Sequence, residues 1–431
     1  MAEPSDENYL TTSEVAARLK VKPETVYAYV SRGLLTSVRA RGRRGSLFAA
    51  TDVERLASRS VDHPGAIERI ESALTLLAGD ELYYRGHRAA DLAITSTVES
   101  VAQLLWTGEL PSADAPDWTR GGLSATSAFP APQQEVELAR AAMAIAPPGA
   151  RLTDQLRIAV AALGAGDPLR FDLTPQTVRV AAARLLGVLT AALPDSTSSR
   201  PSDPPRPFGL AEGPEPSGFS GSSGTDDSFG ARLWPKLVIP GADGPPRPDL
   251  LEAAVILLAD HGLAVSTLAA RVAASARANL YAVVSAGLGA LDGQLHGAAT
   301  TLAYEFLARA LDDPIAAVSS QLRSGQPAPG FGHKLYERRD PRADVLLDLL
   351  GDAPITRTVR ALADQLPHFP NSDLAVAALM HAYDFRPDAG EAIFALARTI
   401  GWTAHALEEY AQPALRFRAL GVYTGPDAIT T

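Results

Sequence analysis

The 431-residue sequence predicts a mainly α-helical protein in two parts, a small basic module followed by a large helical body. Three observations carry that prediction. The chain has a net charge of −10, yet residues 10–60 carry +6 and residues 61–431 carry −13. From residue 64 onward apolar residues recur at helical spacing, and alternating stretches of useful length are almost absent. Within this body, residues 194–228 turn abruptly to Pro, Gly and Ser with no helical period. Such a segment buries too little apolar surface to offset its chain entropy, so it is expected to be a disordered surface insertion and not a domain boundary.

Composition narrows the chemistry. The chain contains no cysteine, which removes disulfides, thiolate metal sites and cysteine nucleophiles together. Its longest apolar runs, such as LLEAAVILLA, fall well short of a membrane span, so no membrane partner is expected. The acidic start, MAEPSDENYL, lacks the layout of a signal peptide, and a cytoplasmic location is the expectation.

The basic module is expected over residues 1–60. In TTSEVAARLKVKPETVYAYVSRGLL, Thr12 can cap a first helix whose Val15, Ala16 and Leu19 share one face. Pro23 and Glu24 open a second helix, and Gly33 suits its end. TSVRARGRRGSLFAA then alternates around a basic turn as a two-stranded wing does, and TDVERLASR reads as a third helix. This resembles a winged helix-turn-helix of the MerR and excisionase type. The resemblance implies DNA as a partner, with Thr25, Tyr27, Tyr29 and Arg32 facing the major groove and the wing's Arg39, Arg41, Arg43 and Arg44 on phosphates. The competing reading is a docking arm for another protein.

The body opens with a succession of helical periods: AIERIESALTLLA, VESVAQLLWTG, EVELARAAMAIA, RLTDQLRIAVAAL and QTVRVAAARLLGVLTAAL. Of its eight histidines, three stand in unusual settings: His261 in LLADHGLAVST, His296 between glycines in GQLHG, and His333 in PGFGHKLYERRDPR. His63 and His87 sit among polar loop residues. His368, His381 and His405 lie in or beside helical stretches, where a histidine more often satisfies the core or surface. No pair has metal-ligand spacing, so no metal is expected. The glycines of SAGLGALDGQLHG do not make a dinucleotide loop, because no strand precedes them.

Taken in order, DHGLAVST, GQLHG, GFGHKLYERRDPR, PNSD and FALARTIGWTAHALEE resemble the citrate synthase family, and ELYYRGHRAADLAITSTVESVAQLLWTGELP agrees with its N-terminal part. The resemblance covers residues 65–431 outside the Pro/Ser insertion. It implies a two-domain helical fold, with a large domain over 65–297 plus 386–431 and a small domain over 298–385 that closes over the substrates. It also implies a homodimer or higher homo-oligomer and no cofactor. The implied reaction of the tricarboxylic acid cycle type condenses acetyl-CoA, or propionyl-CoA, with oxaloacetate.

On that resemblance Asp373 is the general base, His296 donates to the thioester carbonyl and enolate, and His333 polarises the ketone. His261, Arg342, Arg398 and Arg418 would bind oxaloacetate, Arg418 in the neighbouring subunit's site, with Arg416 as its rival. The chemistry explains the residue types. A thioester methyl group is barely acidic, so a base needs a preorganised donor at the enolate oxygen, and a guanidinium fork matches a carboxylate. The family's carboxylate and amide after the DH pair are replaced here by Gly262 and Ala264, and Gln294 stands for a frequent proline. Those replacements, with the basic wing, sustain an alternative: a transcription regulator whose synthase-like body senses a metabolite. The trio His296, His333 and Asp373 favours the enzyme, since a sensor has little use for a base.

Overall fold

The computed structural model describes residues 9–19, 21–31, 35–38, 46–53, 70–111, 129–195, 228–242, 244–294 and 296–417. The chain divides into two compact units, residues 71–414 and residues 1–70 with 415–431. The insertion at 194–228 lies outside the described residues except at its two edges.

In the smaller unit, β1 (Tyr9–Thr11) leads into α1 (Thr12–Leu19) and α2 (Pro23–Ser31), and β2 (Ser37–Val38) pairs with β3 (Leu47–Ala49). The antiparallel sheet has the order β1-β3-β2, so the expected two-stranded wing gains a third strand from the segment ahead of α1. The helix cap also moves by one residue. Thr11, not Thr12, precedes α1, and its hydroxyl and backbone N–H both donate to Glu14 at 2.7 Å. This is a reciprocal cap of the Thr-x-x-Glu kind, and it takes precedence because Glu14 is three residues from Thr11. Val15, Ala16, Leu19, Val26, Leu35, Phe48 and Val53 form the unit's core. Residues 50–53 begin the expected third helix, whose remainder lies outside the described residues.

The larger unit begins with a correction. AIERIESALTLLA has helical spacing, yet its end forms β4 (Thr75–Ala78), paired with β5 (Glu81–Tyr84) and then β6 (His87–Arg88). The turn decides it: Gly79 and Asp80 have φ of 59° and 58°, the two-residue hairpin geometry whose twist suits antiparallel strands. Pairing with ELYY buries Leu82 and Tyr84, which outweighs a weak helical period.

Fifteen helices follow among the described residues. They are α3 (Ala89–Thr95), α4 (Val98–Thr107), α5 (Gln133–Met143), α6 (Leu152–Gly166), α7 (Pro175–Ala192), α8 (Phe229–Leu237), α9 (Pro248–Leu258), α10 (Val265–Ser275), α11 (Leu280–Leu291), α12 (Ala299–Asp312), α13 (Pro314–Ser324), α14 (Pro341–Leu350), α15 (Pro354–Ala363), α16 (Ser372–Ala382) and α17 (Ala389–Tyr410). The last is the central element. Its sequence is apolar on nearly every side, as a helix surrounded by others must be, and it packs on α4, α6, α7, α9, α10 and α11. Gly401 lies where α17 meets the end of α9: a Cβ there would come within 2.4 Å of the Ala259 carbonyl oxygen. The close approach fixes the turn that carries His261. Helices α12 to α16 pack chiefly on one another and reach the rest through α9, α3 and α17. Among the described residues no helix is long and apolar enough to cross a membrane.

Candidate active site

The motifs GFGH and PNSD lie 40 residues apart in sequence and meet as a short backbone ladder. Gly332 N–H donates to the Phe369 carbonyl at 2.8 Å, Asn371 N–H to that of Gly330 at 2.9 Å, and the Asn371 side chain to that of Gly332 at 2.9 Å. Asn371 also caps α16, accepting from the N–H groups of Asp373 and Leu374. His333 and Asp373 are therefore set by one piece of backbone.

Asp340 ties the adjoining helix into the same place. Fully buried, it caps α14, accepts the Ser372 N–H at 3.0 Å, and holds Arg342 through Nε at 2.9 Å and a terminal nitrogen at 2.8 Å. Burial alone would raise the Asp340 pKa, but the Arg342 charge outweighs it and keeps the carboxyl below its usual range.

Around Arg342 the aromatic side chains close up. The His261 and His333 rings meet edge to face with centroids 5.1 Å apart, and Tyr336 lies 5.4 Å from the first and 4.8 Å from the second. The Arg342 guanidinium carbon is 5.5 Å from the centre of the Tyr336 ring, and the Tyr336 hydroxyl is 3.0 Å from His261 Nε2. His261 is buried, and that burial, with Arg342 and Arg398 nearby, holds its pKa far below the ordinary histidine value. His333 is lowered to about 4, by burial first and Arg342 second. Both imidazoles are thus neutral near pH 7. Leu335 N–H donates to His333 Nδ1 at 3.0 Å, so the proton of neutral His333 sits on Nε2, where it is a hydrogen-bond donor.

Arg398 supplies the second cation. It is buried in α17, donates through Nε to the Leu258 carbonyl at 3.0 Å, and lies over Phe394 at 4.6 Å. Its Nη1 is buried with no hydrogen-bond partner in the protein. A buried guanidinium without a carboxylate partner is costly unless an anion joins it.

Behind His261 runs a chain of buried polar groups. Asp260 Oδ2 accepts the Thr75 hydroxyl at 2.5 Å and the Gly262 N–H at 3.0 Å, and its Oδ1 lies 3.2 Å from His405 Nε2. Arg271 donates to His405 Nδ1 at 2.7 Å and pairs with Glu408 and Glu409. His405 is thus a buried core histidine that accepts from Arg271 at Nδ1 and faces Asp260 through Nε2 without a formed hydrogen bond there, and it lies beside the loop that carries His261. Gly262 takes a φ of 63° with open space around it. The β4–β5 hairpin grips the other side: Asp80 accepts the Glu337 and Arg338 N–H groups at 2.7 and 3.2 Å, and Glu81 pairs with Arg339.

His296 is held differently. It follows α11 on a tight turn, its N–H donating to the Gly293 carbonyl at 2.9 Å and the Gly297 N–H to that of Leu291 at 2.8 Å. A Cβ on Gly297 would approach the Leu291 carbonyl oxygen to 2.3 Å, so the glycine answers its own helix end as well as any ligand. Ser266 Oγ lies 2.8 Å from His296 Nε2, and Phe394 meets the ring edge to face. Burial, followed by Arg398, lowers His296 to about 4. Four residues on, the Thr300 hydroxyl donates to Asp373 Oδ1 at 2.8 Å. Burial pushes the Asp373 carboxyl above its usual range against the opposing effects of Thr300 and Arg342. Arg151 and Arg157 both reach Asp292 and pin the start of this turn.

The seven residues expected from sequence fare unequally. His261, His333 and Arg342 share direct ring and charge contacts. His296 and Arg398 both contact the Phe394 ring, and Thr300 links Asp373 to the helix after His296. Arg418 lies outside the described residues. Tyr336, Asp340, Thr300, Ser266, Thr75 and His405 were not among the expected residues. Tyr336 and Asp340 lie inside the motif that announces His333, and His405 inside the one that announces Arg398, whereas Thr75 leaves no local signal. Among the described residues no group of three or more His, Asp or Glu is placed to hold a metal ion. In the smaller unit Tyr27 is 56% exposed, Thr25 is half-buried, and Tyr29 packs partly against the core. Arg32, Arg39, Arg41, Arg43 and Arg44 lie outside the described residues.

A family profile for the C-terminal domain of citrate synthase matches residues 66–418, and one for a helix-turn-helix domain matches residues 9–60. The chain is 29% identical over 381 residues to a citrate synthase of Haloferax volcanii, covering 82% of this chain and 93% of that one. To a 2-methylcitrate synthase of Mycobacterium tuberculosis it is 28% identical over 365 residues, covering 80% and 85%. The fold matches the crystal structure of the Thermotoga maritima citrate synthase with a TM-score of 0.63 at 26% identity, over 85% of this chain and 96% of that one. With the profile spanning nearly all of the helical body, the chain belongs to the citrate synthase family and is an enzyme of that type.

Proposed function

We propose that the helical body condenses acetyl-CoA or propionyl-CoA with oxaloacetate, releasing citrate or 2-methylcitrate and CoA, without a cofactor. The observation that carries this reading is the buried Nη1 of Arg398, a charged donor with no hydrogen-bond partner, in a site that also holds neutral His261 and the Asp340-anchored Arg342; a carboxylate of a dicarboxylate would complete it. Asp373 takes a proton from the thioester methyl or methylene group, and its raised pKa suits it to that task. His296, neutral at working pH, stabilises the enolate oxygen. The enolate carbon attacks the ketone of oxaloacetate, which His333 polarises through Nε2–H and whose oxygen it protonates. Water then cleaves the thioester and frees CoA. Helices α12 to α16 would form the small domain that closes over these reactants.

An apolar face supports a homodimer. Leu263, Val265, Leu268 and Val272 line the outside of α10 and the turn before it, each at least 41% exposed.

The test is thiol release from purified protein given oxaloacetate with acetyl-CoA and, separately, with propionyl-CoA. Release with at least one thioester, lost in Asp373→Ala, supports the reading. No release above the Asp373→Ala background with either one sinks it.

The smaller unit supports a second activity. The +6 charge of residues 10–60, the unit's two helices and its paired strands suit duplex DNA, with Tyr27 the exposed candidate for groove contact among the described residues. Binding to genomic fragments should weaken steeply with added salt; salt-insensitive or absent binding counts against it. A body that served only as a metabolite sensor for this unit would bind oxaloacetate without releasing thiol.

A further inference from the structure

Tyr336 is not needed by any step above, yet it touches more of the oxoacid side than any residue assigned there. It is 4% exposed, and its hydroxyl makes the hydrogen bond of the His261 ring. Its ring lies against His333 and beneath Arg342. Burial pushes its hydroxyl far above the usual tyrosine range, so it stays a neutral phenol.

We propose that Tyr336 is the positioning residue that fixes the tautomer of His261, donating its hydroxyl proton to Nε2 and so confining the imidazole proton to Nδ1. The inference rests on the oxoacid reading of the site. Neutral imidazole has one N–H and one lone pair, and the 3.0 Å contact allows two arrangements. If His261 donated from Nε2, the phenol proton would have no acceptor at that contact, and the ring's remaining polar atom would be a lone pair. A lone pair repels a carboxylate oxygen. If Tyr336 donates, its proton is satisfied and Nδ1–H remains as a donor, the polarity an anionic oxoacid requires.

The logic parallels His333, where the Leu335 N–H occupies Nδ1 and leaves Nε2–H as donor. Backbone sets one tautomer, and a tyrosine sets the other. The device matters more here because Gly262 and Ala264 supply no side-chain polar group beside His261.

The test uses the full chain and Tyr336→Phe, which keeps the ring and removes the hydroxyl. Histidine-selective nitrogen-15 spectra, with His261→Gln to identify the signal, read the tautomer without any turnover. Protonation at Nδ1 in the parent protein, shifting to Nε2 or to a mixture in Tyr336→Phe, supports the proposal. A proton on Nε2 in the parent, or a tautomer unchanged by the substitution, overturns it. In turnover, KM for oxaloacetate should rise about tenfold, the equivalent of one hydrogen bond, with kcat and the thioester KM within about twofold. An unchanged oxaloacetate KM overturns the proposal as well. Absence of thiol release from the parent protein would defeat the condensation reading instead, and the nitrogen spectra would still decide the tautomer.

Discussion

His296 and the pair His261 and His333 are held in two different ways. His296 rides on a turn shaped by backbone hydrogen bonds to Leu291 and Gly293, with a glycine where a Cβ cannot fit. His261 stands in a web of side chains from distant segments, Tyr336, Asp340, Asp260, Thr75 and His405, against which His333 lays its ring from a backbone held by the Gly332–Phe369 and Gly330–Asn371 hydrogen bonds. A turn made by backbone depends on few side chains. A buried web depends on each of its members, and the loss of one leaves others unpaired. Removing a member of the web should therefore cost stability, whereas removing His296 or Asp373 should cost mainly turnover.

The largest expected effect is on the thioester side. Asp373→Ala should lower kcat about 10³-fold in the thiol-release assay, as loss of a general base does, with little change in denaturation midpoint. An equal loss of stability would erase the contrast. On the web side, Asp340→Asn strips a buried partner from Arg342, and chemical denaturation should show a loss of about 3–5 kcal/mol. A change under about 1 kcal/mol would mean that Arg342 is held by other means. His296→Ala comes next, with a turnover loss of about 10²-fold, the size reported by removal of one oxyanion donor, and an unchanged oxaloacetate KM.

The smallest effect is on pH. His296 and His333 titrate near 4 in the folded chain, against 6.5 for a free histidine. Between those values the unfolded chain binds protons that the folded chain does not, so stability should fall as pH drops from about 6.5 towards 4 and be flat with respect to these groups above it. Urea midpoints across that range check the sign. A midpoint that rose on acidification would contradict neutral histidines in the site.

The same contrast explains what the sequence could disclose. GQLHG, GFGH, DPR and PNSD are contiguous, so a reader meets the residue and the glycine or proline that shapes its backbone together. Tyr336 and Asp340 lie inside the longer string GFGHKLYERRDPR and were readable as neighbours, but their function depends on His261 and Ser372, which are distant in sequence. Thr75 is the clearest failure. It lies in a stretch with helical spacing that the Gly79–Asp80 turn converts to a hairpin, and only that hairpin brings Thr75 to Asp260 and Asp80 to the chain after His333. Helical periods elsewhere were sound because each face is buried by a neighbouring helix. The α17 segment is an example, apolar on nearly every side and enclosed.

The central claim is that enolate formation and oxoacid binding belong to separate groups of residues. Calorimetric titration of oxaloacetate into Asp373→Ala tests it most directly. The account predicts binding within about twofold of the parent protein despite the loss of turnover, because Arg342, Arg398 and His261 are untouched. Weakening of oxaloacetate binding by about tenfold or more would contradict the division and make Asp373 part of the oxoacid site.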